Sequence, residues 1–75
     1  MARLEFLLNK VKETFGTERL RWLEALREYL KTTPIPSTLK EIEAIEDRSL
    51  LRLLWSAGLS SELQAAVLKR SEELE

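Results

Sequence analysis

Leu4, Leu7, Leu8, Val11 and Phe15 recur at spacings of three and four. At about 100° per residue this gathers them into one stripe and predicts an amphipathic helix over residues 4–15. Gly16 is the residue type that closes helices in the left-handed conformation, and Thr17 with Glu18 suits the start of the next one. The second helix is expected over 18–31, with Trp22, Leu23, Leu26, Tyr29 and Leu30 on a broad face and Leu20 at its margin. Arg21, Glu24, Arg27, Glu28 and Lys31 hold the opposite face, so this helix is expected to form the main wall of the core.

Thr32-Thr33-Pro34-Ile35-Pro36 interrupts the pattern, because a residue before proline avoids the helical region and proline cannot donate to the ladder. Residues 32–37 are therefore expected to be a stiff spacer inside one domain spanning 1–75, between a helical hairpin over 1–31 and a helical cluster over 38–75. Thr38-Leu39-Lys40-Glu41 has the form of a capping box and predicts a third helix with Leu39, Ile42 and Ile45 inward. Asp47 or Ser49 is expected to cap a fourth, in which Leu50, Leu51, Leu53, Leu54 and Ala57 form a wide apolar arc before Gly58. Ser60 or Ser61, the latter with Gln64 as a second capping box, opens a fifth helix whose stripe is Leu63, Ala66, Val67 and Leu74. Nothing alternates with period two over the length of a strand. The expected fold is all-α, a compact bundle or cluster of about five short helices.

Composition narrows the chemistry. The 75 residues include no cysteine and no histidine, which removes disulfides, thiol nucleophiles, the commonest metal ligands and the usual general base near neutral pH. Glu41, Glu43, Glu46 and Asp47 lie close together, yet nothing in the pattern predicts a cleft that would desolvate one of them, so an acidic outer face is expected rather than an acid–base pair. Two glycines do not make a phosphate loop. The reading is a chain that is not an enzyme and uses no cofactor or metal. The net charge is −1, too small to draw the molecule to nucleic acid or an anionic membrane. Residues 1–37 carry seven bases and five acids, residues 38–75 five bases and eight acids. No apolar run approaches the roughly 20 residues of a membrane span, and residues 1–5 mix a base and an acid into the first apolar positions, unlike a secretory signal. A cytoplasmic setting is expected.

A domain of this size holds a core supporting only about 3–5 kcal/mol of net stability. With no disulfide or metal to add to it, self-association is the expected supplement. Phe6 lies opposite the stripe of its helix, and Trp55 and Leu68 lie at the edges of theirs; these three are the expected anchors of a protein–protein interface, in a homo-oligomer with a dimer favoured or against another protein. A second reading comes from residues 54–63, where a helix end, Gly58, Leu59 and Ser60-Ser61 follow the order found at the turn of helix-turn-helix domains. In that reading the helix over 61–74 would meet nucleic acid through Gln64, Lys69 and Arg70. A third is a designed helical scaffold with no natural role.

Ile42-Glu43-Ala44-Ile45-Glu46-Asp47, then Leu50-Leu51 and Leu53-Leu54, Ala57 and Ser60-Ser61-Glu62 lie in a stretch, residues 36–68, that resembles the helical C-terminal region of bacterial Rpn or transposase-like proteins of the PD-(D/E)XK nuclease superfamily. The nuclease's catalytic pattern, a strand-borne acid followed by Glu-x-Lys, does not occur here. The resemblance therefore implies an accessory helical module for oligomerisation or protein contact, without nuclease activity.

Overall fold

Five helices follow one another in the computed structural model, which describes residues 3–75: α1 (Arg3–Glu13), α2 (Gly16–Thr32), α3 (Ile35–Ala44), α4 (Arg48–Ser56) and α5 (Ser61–Glu73). No strand occurs among the described residues, and the all-α cluster expected from the apolar periodicity is the fold. Met1 and Ala2, part of the segment compared above with a secretory signal, lie outside the described residues. Among those described, no helix is long and apolar enough to cross a membrane.

The centre of the molecule is α1, where the sequence pattern favoured α2. Leu4, Leu7, Leu8 and Val11 are all buried, whereas α2 buries only Leu26 fully and keeps Trp22, Leu23, Tyr29 and Leu30 half-buried. The reason is position: α1 is packed by α2, α3 and α4, while α2 leans chiefly on α1 and leaves its other flank in water. One continuous core joins Leu4, Leu8, Leu26, Ile42, Leu50, Leu54, Leu63 and Val67, so every helix contributes to it. The hairpin and the C-terminal cluster share that core.

Three boundaries depart from expectation. Phe15 does not extend the α1 stripe: α1 ends at Glu13, and Phe15 is extended (φ −133°, ψ 160°) and 83% exposed. Gly16 follows at φ +57°, a left-handed conformation that L side chains rarely adopt, and together these residues turn the chain before the next apolar position reaches the core. Thr17 does not cap α2, because Phe15 occupies that place and no side chain caps the helix.

The third helix starts at Ile35 rather than at Thr38. Pro34 precedes it at φ −58°, Pro36 sits in the first turn where its missing N–H has no ladder partner to lose, and the N–H groups of Ser37 and Thr38 donate to the Pro34 carbonyl at 3.1 and 3.2 Å. The spacer thus shrinks to Thr33 and Pro34. Thr38 becomes a buried helical residue whose hydroxyl donates back to the Pro34 carbonyl at 3.4 Å, so no capping box forms with Glu41.

At α4 the cap is Asp47, whose Oδ1 accepts from the Ser49 N–H at 2.9 Å and from its hydroxyl at 2.7 Å. Ser60 precedes α5 without a side-chain cap bond, and Ser61 is already helical, so the second expected capping box is also absent.

Candidate interaction surface

The side by which α4 and α5 face each other is marked at one end by an ion pair, Arg48 Nη2 to Glu75 Oε1 at 3.6 Å. Seven residues along from Arg48 stands Trp55, and seven residues back from Glu75 stands Leu68. On a helix seven residues are close to two turns, about 20° from full register, so Trp55 lies on the same side of α4 as Arg48; Glu75 lies beyond the end of α5 at Glu73, and Leu68 stands about 100° around α5 from the buried Val67. One turn earlier on each helix, Leu51 is buried and Gln64 half-buried. Trp55 is 41% exposed and Leu68 53% exposed. An indole on α4 and an isobutyl group on α5 thus stand partly in solvent, outside a core to which every helix contributes.

Phe6 is placed differently from these two. Its ring meets that of Trp22 edge-to-face, centroids 5.9 Å apart and planes at 81°, and the Lys10 ammonium lies 5.6 Å from the Phe6 centroid and 6.0 Å from that of Trp22. The aromatic pair cements α1 to α2, with the cation over both rings adding a favourable electrostatic contact. Phe6 is half-buried in this cluster. Residues opposite each other on α1 can both be covered because the helix has neighbours on several sides. Phe6 therefore differs from the other two expected anchors, Trp55 and Leu68, which are exposed.

The residues of the nucleic-acid reading do not converge on one face. Gln64 is half-buried, Lys69 is exposed, and the two are about 140° apart around α5. Arg70 is engaged internally, its Nε donating to the Ile45 carbonyl at 2.8 Å and its Nη1 lying 3.7 Å from Glu73. It thereby ties α5 to the C-terminus of α3.

The four neighbouring acids also part ways. Glu41 turns inward to α1 and α2, its carboxylate accepting from the Leu4 N–H and the Tyr29 hydroxyl. Asp47 faces outward, caps α4 and pairs with Lys12 at 3.2 Å; the hydroxyl and N–H of Ser49, followed by the Lys12 ammonium, hold its carboxyl down at about 2. Glu43 and Glu46 remain on the surface. No group of three or more metal-ligating side chains occurs among the described residues.

Besides Phe15, sequence reasoning missed two exposed apolar residues, Leu20 at 60% and Ile35 at 37%. Leu20 carried a signal, its position at the edge of the α2 stripe; Ile35 carried none, being read as spacer.

Comparison with family models, curated proteins and solved structures finds no match. The likeness of residues 36–68 to the helical region of Rpn or transposase-like proteins thus rests on the sequence pattern alone.

Proposed function

We propose that this chain is a non-enzymatic interaction module that self-associates, as a dimer, through the α4–α5 seam, with Trp55 and Leu68 as anchors. The observation that carries the reading is the exposure of two large apolar side chains on consecutive helices, each about half exposed, outside a core that all five helices already fill. Aromatic residues at the centre of a contact dominate its energy, and a small domain without cross-links gains stability from association. A two-fold axis across the seam would lay the indole of one copy against Leu68 of the other, the self-complementary geometry of most homodimers. A cytoplasmic setting belongs to the same proposal.

Sedimentation of the full chain across the micromolar range tests it. The expected result is a monomer–dimer equilibrium that Trp55→Ala weakens by about 2 kcal/mol, the range of a central anchor, and that Leu68→Ala weakens in the same direction. A chain that stays monomeric throughout, or a dimer that neither substitution disturbs, overturns the proposal.

A further inference from the structure

A second surface lies apart from the seam, where the C-terminal half of α2 passes the turn between α4 and α5. It is a groove of about 430 Å³. Its floor is aliphatic, formed by Leu30, Ile35, Leu59 and Leu63, and its only charged lining residues are Arg27 and Lys31. These two are four residues apart on α2, neighbours on one face with about 5–6 Å between their β-carbons. Both are exposed, and among the described residues neither forms an ion pair.

We infer that this groove docks an acidic amphipathic helical segment of a partner protein, its aliphatic side chains on the Leu30–Leu63 floor and two carboxylates one turn apart on Arg27 and Lys31. Charge complementarity selects this occupant. A wall with two cations and no acid favours an anionic ligand, and the one-turn spacing of the cations matches carboxylates at i and i+4 of a helix. A single-headed aliphatic acid satisfies one cation and leaves the other unmatched. Helix-in-groove recognition reads spaced apolar anchors in this way. The proposal does not depend on self-association, since α2 and the α4–α5 turn form this groove and the outer ridge of α4 and α5 forms the other surface.

The test is a titration of the ¹⁵N-labelled full chain with a synthetic helical peptide built of Leu and Glu, Leu at spacings of three and four and Glu pairs at i and i+4, beside its Gln-for-Glu twin and decanoate. The expected result is amide shifts centred on Gly58, Leu59 and Ser60 with the acidic peptide alone. The double variant Arg27→Glu, Lys31→Glu, altered only at exposed positions and therefore still folded, is expected to weaken binding by about tenfold or more, as two exposed ion pairs become repulsions. Four results overturn the proposal: no shifts with the acidic peptide, equal binding of the Gln twin, equal occupation of the groove by decanoate, or shifts confined to the Trp55–Leu68 seam. Sedimentation of the same samples reports the dimer separately, so either idea can fail alone.

Discussion

The phenol of Tyr29 donates to Oε2 of Glu41 at 2.6 Å while the other oxygen of that carboxylate accepts the backbone N–H of Leu4 at 3.1 Å. One acid on α3 thereby joins the middle of the fold to α2 and to the first turn of α1, where N–H groups lack helical partners and the helix dipole favours negative charge. Burial, followed by the hydrogen bond and the charge of Glu41, pushes the Tyr29 phenol above its ordinary value of 10.0. This is the only tyrosine in the chain, so its ionisation can be followed by ultraviolet absorbance without overlap. The phenol is expected to titrate above free tyrosine, and Glu41→Gln to move it back toward 10. Because the folded value is raised, the contribution to stability is complete below pH 10 and is lost as the pH rises from 10 through the folded value. Tyr29→Phe is expected to lower stability by about 1 kcal/mol, the net worth of a typical hydrogen bond.

Asp47 gives the opposite sign of pH dependence. Its carboxyl is held at about 2 against an ordinary 3.8, so its contribution is complete above pH 3.8 and is lost as the pH falls from there toward 2. Thermal unfolding followed by circular dichroism between pH 2 and 6 is expected to show a falling midpoint over that window. Asp47→Asn keeps a capping side chain and flattens the acid limb; Asp47→Ala lowers the midpoint at every pH. An acid limb unchanged by Asp47→Asn would assign the acid sensitivity to other carboxylates.

The central position of α1 predicts a sharp contrast along one apolar pattern. Leu8 is fully buried, and Leu8→Ala is expected to cost about 2–5 kcal/mol, comparable to all the stability of a domain this size, leaving the chain largely unfolded. Phe15 continues the same spacing but stands in solvent, and Phe15→Ser is expected to change stability by no more than about 0.5 kcal/mol. Urea denaturation of the two variants checks both.

These contrasts mark what the sequence could and could not reveal. The five helices, most of their apolar stripes, Asp47 as one of two candidate caps and the turns at Gly16 and Gly58 were legible because each is decided by residues within one or two turns of each other. Thr38-x-x-Glu41 satisfied a local rule equally well, but the prolines at 34 and 36 allow an earlier start, and Glu41 finds partners 12 and 37 residues away in the chain. Phe15 was misplaced because periodicity alone does not say where a stripe ends. Of the proposed anchors, Trp55 and Leu68 were readable as margin residues, while the place of Phe6 depended on Trp22, whose proximity follows only from the packing of α1 on α2.

Phe6 and Trp55 therefore separate internal packing from association. Phe6→Leu removes an edge-to-face pair worth about 0.5–1.5 kcal/mol beyond its buried area and also takes one ring from under Lys10, so it is expected to lower the unfolding midpoint and to change the emission of Trp22. Read in a Trp55→Phe background, that emission comes from Trp22 alone. Because Phe6 packs on α2, the same substitution is expected to leave the dissociation constant of the proposed dimer unchanged in sedimentation. Trp55→Ala is expected to weaken the proposed dimer and to cost the isolated fold less than truncation of a fully buried residue, since Trp55 is already 41% exposed. A dimer lost with Phe6→Leu and kept with Trp55→Ala would move the contact surface from the α4–α5 seam to the α1–α2 flank.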